Sequence, residues 1–302
     1  MKNIIGILTI SLLLAACRKS SEKTDNYIIK GSDSELELIR ILATKFEEEY
    51  PKTSLSISGG GSAYGLQELI KGTVDAANSS RIITQEELAL AQEKGINPVP
   101  IIVATDAVAI ITNPKLKMDS LSVFQVRDIL SGTITNWNEI GGPDQRITVY
   151  GRDHSSGTRE FLKKTVLKSN FATNSKELKT SKEVIESVKK DIGGIGYVSV
   201  GTLMGENHKP NGEVWATYLY LEDNRAVSPY EFKSVESGDY PLKRPLFQYF
   251  NGWPTGDLLK YVEFELSEKG QAIIRENGYF PITHFHEQLN EMSKKEALKK
   301  KQ

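Results

Sequence analysis

Tyr27-Ile28-Ile29-Lys30-Gly31-Ser32-Asp33-Ser34 is followed by apolar residues at Leu36, Leu38, Ile39, Leu42, Ala43 and Phe46. A short run of strand character, a turn of glycine and small polar residues, and a face repeating every 3.6 residues make a strand–turn–helix unit. Pro51 follows the end of the helical stretch. The order recurs downstream: Leu55–Ser58 predicts a strand, Gly59-Gly60-Gly61-Ser62 a turn, and Leu66, Leu69 and Ile70 a helix. Further strands are expected at Val74–Ala77, Val99–Val103, Ala107–Thr112, Ile147–Tyr150 and Ile195–Val198, with Ala104-Thr105-Asp106 separating the second from the third. Helical periods cover Gln85–Lys94, Val123–Leu130, Thr158–Leu167 and Ser181–Lys190, and Gly252–Ala272 reads as one more helical region. Regular alternation of this kind specifies the α/β class. A chain of 302 residues with no linker and no internal repeat suggests two α/β lobes sharing crossover strands.

Composition narrows the chemistry. Lys+Arg 38 against Asp+Glu 39 gives a net charge of −1, so neither a basic excess for nucleic acid nor an acidic disordered tail is present. The single cysteine excludes a disulfide framework, a Cys-rich zinc site and an iron–sulfur cluster. His154, His208, His284 and His286 have no paired metal spacing such as HExxH, so no metal and no cofactor are expected. At the N-terminus, Lys2 precedes the apolar run Ile4–Ala16, shorter than the ~20 residues of a membrane-spanning helix. Residues 1–16 therefore read as a secretory signal peptide. Its break, Leu14-Ala15-Ala16-Cys17, resembles the lipobox of bacterial lipoproteins, which makes Cys17 the lipidated first residue of the mature chain. Residues 17–26 are expected to form a polar tether, and Lys294–Gln302 a solvated helix end, with anionic lipid as its alternative partner.

Three places carry a Gly/Ser-rich turn between a strand and a helix: Gly31-Ser32-Asp33-Ser34, Gly59-Gly60-Gly61-Ser62, and Arg152-Asp153-His154-Ser155-Ser156-Gly157-Thr158. The first amides of a helix lack intrahelical acceptors and carry partial positive charge, glycine permits close approach, and Ser or Thr adds a donor. Each turn is thus an anion site in waiting, and alone each is equally an ordinary N-cap. Three in one chain, the last with an arginine whose fixed donors match a tetrahedral oxyanion, argue for more than capping. GxxxxGK[ST] and GxSxG are both absent, and no nucleophile–base pair or metal cluster for a phosphatase is visible. Binding without chemistry, in a protein that is not an enzyme, is the simpler reading.

Several segments resemble the PstS family, the phosphate-binding lipoproteins of phosphate ABC importers. They are Gly60-Gly61-Ser62, Val74-Asp75-Ala76-Ala77-Asn78-Ser79-Ser80-Arg81, Gly132-Thr133-Ile134-Thr135-Asn136-Trp137, Gly151 through Arg159, Gly194 through Ser199, and Tyr240 through Leu246. They occur in the family's order across nearly the whole chain after the leader. The resemblance implies a type II periplasmic-binding-protein fold, two lobes joined by two crossover strands. Lobe 1 would be residues 27–105 plus 242–302 and lobe 2 residues 106–241. It also implies inorganic phosphate as ligand, the permease subunits of an ABC importer as partners, a monomer, and an extracytoplasmic location on a bacterial membrane through the lipid on Cys17. Matched residue by residue, Asp33 and Ser34 fall at first-loop phosphate contacts with Ser32 as a neighbour. Ser62 falls at the second-loop serine, and Arg152, Ser156, Gly157 and Thr158 at the arginine and SGT donors. Where many members place a proton-accepting aspartate after the third strand, this sequence has Ser80, and Asp33 stands where threonine is common.

Asp33 is therefore expected to accept the proton that phosphate keeps at neutral pH and sulfate lacks, which rejects sulfate by repulsion. Its alternative role is to cap the following helix, and Asp153, one residue after Arg152, is a candidate to orient the guanidinium. Sulfate or molybdate is the competing ligand class, and a secreted phosphatase the competing enzyme. Trp137, Trp253 and Tyr197 are assigned to packing. Arg81 either bonds carbonyls of the Ser79-Ser80 loop or lies at the cleft edge.

Overall fold

Buried valine, isoleucine and leucine side chains line many of the strands, and the more amphipathic helices turn apolar faces onto them. The computed structural model describes residues 25–205, 209–222 and 225–300. The signal peptide and Cys17 lie outside these residues. The chain begins β1 (Asp25–Gly31), α1 (Leu36–Glu49), β2 (Thr53–Ser58), α2 (Ser62–Lys71), β3 (Ala76–Ser79), α3 (Gln85–Glu93) and β4 (Pro98–Thr112). It continues through β5 (Ser120–Ser122), α4 (Val123–Ser131), β6 (Thr148–Arg152), α5 (Gly157–Leu162), β7 (Lys176–Leu178) and α6 (Ser181–Lys190). Then come β8 (Gly194–Ser199), β9 (Trp215–Ala216), β10 (Tyr218–Tyr220) and α7 (Phe232–Ser237). β11 (Lys243–Asn251), α8 (Gly256–Leu266), α9 (Glu268–Glu276) and α10 (His284–Lys299) complete it.

Strand order in the main sheet is β2-β1-β3-β11-β4-β8-β6-β7, with β9 also on β4 and a separate β10–β5 pair. The outer pairs β1/β2, β1/β3, β6/β8 and β6/β7 are parallel, and β11 and β4 are antiparallel to their neighbours. This is an α/β fold of two lobes. β4 pairs with β11 through Ala107 and with β8 from Val108 onward, so one continuous strand passes from the first half-sheet into the second. β11 leaves the second lobe beside it, where Val108 N–H donates to Leu242 O at 2.8 Å.

Each half has its own core. Ile29 of β1 packs with Leu38, Ile39, Leu42 and Phe46 of α1 and with Tyr261. Leu66, Leu69, Phe247 and Tyr249 fill the other face of that half-sheet. In the second half Trp137, Leu130, Ile195 and Tyr197 form one layer, and Val184, Val188 and Val198 another. Burying each large side chain contributes ~1.5–3 kcal/mol, so α1, with five buried positions, is fixed by packing. Trp137 and Tyr197 are fully buried, as the packing assignment expects, and Trp137 Nε1–H donates to Gly193 O at 3.1 Å.

Several boundaries differ from the sequence reading. Ala104-Thr105-Asp106 does not split two strands, because pairing to β11 runs through it. β3 starts later than Val74, since Asp75 is tied to Ile28 by its main chain at 2.9 Å and by its carboxylate at 2.8 Å. Asp25 and Asn26 are not tether but strand, paired with Thr53 and Ser54. Gly252–Ala272 is two helices, broken at Ser267, whose hydroxyl caps α9 through Gly270 N–H at 3.1 Å. Beyond Leu162, the fifth helix continues as a π-helical turn, Lys163–Leu167. No helix among the described residues is long and apolar enough to cross a membrane.

Candidate anion-binding site

The first turn leaves β1 at Gly31. Ser32 N–H donates to Asn78 O on β3 at 3.0 Å, and the Ser32 hydroxyl accepts Ser34 N–H at 3.3 Å. Ser32 thus shapes the turn. Asp33 does not cap α1, whose N-cap is Glu35 with no side-chain cap bond. Its Oδ1 accepts Gly60 N–H at 3.1 Å and its Oδ2 accepts Arg152 Nη2–H at 2.6 Å, joining the two lobes. One residue on, Ser34 Oγ lies 2.8 Å from Thr158 Oγ1, a second link across the cleft.

The second turn depends on Gly61, with φ of 92°, where a Cβ would lie 2.5 Å from the Ser155 carbonyl oxygen. That close approach lets Ala63 N–H donate to Ser155 O at 3.1 Å, again between lobes. Ser62 Oγ accepts Ser80 N–H at 3.1 Å and lies 3.3 Å from Ser80 Oγ. Gly157 of the third turn sits against this serine pair, where a Cβ would meet Ser80 Oγ at 2.5 Å and Ser62 Oγ closer still. Ser156 caps α5 by accepting Arg159 N–H at 3.3 Å. All nine residues expected at the site gather at one locus spanning both lobes: Ser32, Asp33, Ser34, Ser62, Ser80, Arg152, Ser156, Gly157 and Thr158.

Arg152 ends β6 with its amide held by Tyr197 Oη at 2.9 Å. Its guanidinium donates to Ser181 Oγ at 3.2 Å, to Lys179 O and to Asp33. Nε is buried without a hydrogen-bond partner among the described residues. Asp153 is not the guanidinium's partner. It accepts Ser155 N–H at 3.0 Å and the Ser155 hydroxyl, because successive side chains leaving a strand diverge. Arg81 is held by Glu87 at 2.6 Å and by Ile82 O at 3.1 Å, which makes it a brace of its own loop.

Sequence reasoning missed two residues. Arg244 of β11 faces Asp106 of β4 in register, and both are buried. Nε and Nη2 of Arg244 donate to Asp106 Oδ2 at 3.1 and 2.8 Å, while Ser199 donates to Oδ1 at 2.6 Å. Nη2 also reaches Ser34 Oγ and Thr158 Oγ1, each at 3.0 Å. The available signal was a charged residue in an otherwise apolar run, Ile101–Thr112.

Two guanidiniums and two carboxylates balance at this locus. Burial raises the Asp106 carboxyl above its ordinary value, with Arg244 and Ser199 pulling it back. Burial likewise pushes the Glu35 carboxyl, next to Ser34, well above its ordinary value, with Arg244 and Ser32 pulling it back. Tyr197 is pushed up to about 12 by burial and holds the Arg152 amide as a neutral phenol. Hydroxyls, helix-start amides and an unpartnered guanidinium N–H together make a cradle of donors suited to a small oxyanion.

Residues 18–269 match the family described as PBP superfamily domain. The phosphate-binding protein PstS of Bacillus subtilis is 30% identical over 270 residues, 88% of this chain and 84% of that one. The chain belongs to the PstS family. Its Pseudomonas aeruginosa member is 27% identical over 295 residues, 92% of this chain and 89% of that one. Among solved structures, a putative phosphate ABC transporter substrate-binding protein from Clostridium perfringens, with bound phosphate, superposes with a TM-score of 0.74 at 25% identity. The alignment covers 86% of this chain and 100% of that one. An ABC-type phosphate transport receptor from Vibrio cholerae gives 0.66 at 27% identity, over 85% of this chain and 100% of that one. Membership of this family, one of binding receptors, sets the phosphatase alternative aside.

Proposed function

We propose that the protein is an extracytoplasmic receptor that closes on one inorganic phosphate between its lobes and delivers it to the permease of an ABC importer. The observation that carries this reading is the pair of inter-lobe links, Asp33–Arg152 at 2.6 Å and Ser34–Thr158 at 2.8 Å, meeting beside the Ser62–Ser80–Gly157 contact. Ser34, Ser62, Ser80, Arg152, Gly157 and Thr158 supply donors, and Ser32 and Ser156 hold the turns that aim them. Six to eight charge-assisted bonds at ~1.5–3 kcal/mol, against ~4–15 kcal/mol for association, leave room for tight binding with no metal. Asp33 accepts the phosphate proton through the lone pairs it keeps beside Gly60 and Arg152, and repels sulfate.

The lobe boundaries, 27–105 plus 242–302 against 106–241, are supported by the change of partners along β4 at Ala107/Val108 and by the return of β11 after Leu242. A lipid on Cys17 would hold a monomer to the bacterial membrane, with β1 starting only at Asp25. Calorimetric titration of the chain with phosphate, sulfate, molybdate and citrate tests the ligand. Stoichiometric binding of phosphate, with sulfate and molybdate at least a hundredfold weaker, is expected. Preference for another anion of the panel overturns the assignment.

A further inference from the structure

Arg244 does more than neutralise Asp106. Its Nη2 carries two hydrogens and faces three acceptors: Asp106 Oδ2 at 2.8 Å, and Ser34 Oγ and Thr158 Oγ1 at 3.0 Å each. One hydrogen is committed to the carboxylate, and the other is shared by the two hydroxyls. A guanidinium has no lone pair to offer, so each hydroxyl must turn a lone pair toward it and point its own hydrogen elsewhere. Without a ligand, one of those hydrogens is spent on the 2.8 Å Ser34–Thr158 bond. An oxyanion beside them takes both.

We propose that Arg244 is a positioning residue that turns the hydroxyl hydrogens of Ser34 and Thr158 toward the ligand, and does so only when the lobes are shut. Arg244 and Asp106 stand opposite each other on β11 and β4, where these strands pass between the lobes. The guanidinium is gripped there by Nε and Nη2 on one carboxylate, with the Phe161 ring 5.5 Å from it. Ser34 belongs to the first lobe and Thr158 to the second, so both hydroxyls meet the guanidinium only in the closed form. Recognition is thereby biased toward ligands rich in acceptors, because one lone pair of each hydroxyl is engaged by Arg244 and its hydrogen is left to point at the ligand. This deepens the phosphate reading and rests on it.

The test is a double-mutant cycle read by phosphate calorimetry. Arg244→Gln is combined with Asp106→Asn so that no lone charge is left buried. In the otherwise native chain this pair should weaken phosphate binding about 30-fold, and in a Thr158→Val background by about fivefold or less, the gap being a coupling of ~1 kcal/mol. Arg244→Lys, which keeps the charge beside Asp106 but loses the fork, is the second variant should the first fail to fold. Its expected loss is likewise several times smaller once Thr158 is Val. Equal losses with and without the Thr158 hydroxyl would mean that Arg244 acts only on the fold or on the anion directly, and would overturn its role. Absence of phosphate binding by the unaltered chain would instead overturn the function itself.

Discussion

Gly157→Ala isolates lobe closure from lobe stability. An added Cβ falls 2.5 Å from Ser80 Oγ and nearer to Ser62 Oγ, where carbon–heteroatom contacts need about 3.5 Å. Those serines belong to the opposite lobe, so the overlap is relieved by parting the lobes about 1 Å. The Ser34–Thr158 and Asp33–Arg152 links, 2.8 and 2.6 Å, then lengthen to about 3.8 and 3.6 Å, outside the ~2.7–3.2 Å range of hydrogen bonds. A phosphate gripped from both sides suffers the same lengthening. Losing one neutral and one charged bond, at ~0.5–1.5 and ~1.5–3 kcal/mol, costs ~2–4.5 kcal/mol and weakens binding about 30- to 2,000-fold. Gly157 lies at the first position of α5 and outside the left-handed region, so alanine is tolerated there and favoured by ~0.5–1 kcal/mol in helix propensity. Calorimetry should therefore show the affinity loss while the unliganded melting temperature stays within a degree or two. Affinity within threefold of the unaltered chain would refute the closed-cleft geometry. A large drop in melting temperature would show that Gly157 serves the fold of its own lobe.

Asp33→Asn removes the proton acceptor, and the ratio of phosphate to sulfate affinity should narrow at least tenfold; an unchanged ratio removes Asp33 from specificity. Tyr197→Phe leaves the Arg152 amide without its 2.9 Å acceptor, costing ~1–3 kcal/mol and lowering the melting temperature by ~2–4 °C per kcal/mol, with weaker phosphate binding. Glu265, fully buried beside Gln248, is pushed up to about 8 by burial. Between its ordinary value of 4.5 and about 8 the folded chain keeps a proton that the unfolded chain has released, so stability is complete below that window and declines as pH rises through it. Melting curves from pH 5 to 9 should slope downward less for Glu265→Gln than for the unaltered chain, and equal slopes would contradict the buried neutral acid.

Local signals carried most of the architecture. The helix Ser181–Lys190 has its expected bounds: Val184, Ile185 and Val188 are its buried face, and the structure adds a capping box of Thr180 and Glu183 at its start. The three anion-type turns were equally legible, since glycine, serine and arginine at a strand–helix junction have a local meaning. What sequence could not convey were partners distant along the chain. Asp106 reads as a break in an apolar run until Arg244, 138 positions later, is laid against it. Adjacency suggested Asp153 for Arg152, whereas the actual carboxylate, Asp33, is 119 residues away and arrives from the other lobe.

The antiparallel ladder between β11 and β4 shifts register between Leu246 and Phe247, two residues from Arg244. Such an irregularity bends a strand pair locally while the ladder on either side resists sliding. The bend therefore lies inside the first lobe, next to the crossover, and the paired residues on its far side hold Arg244 opposite Asp106.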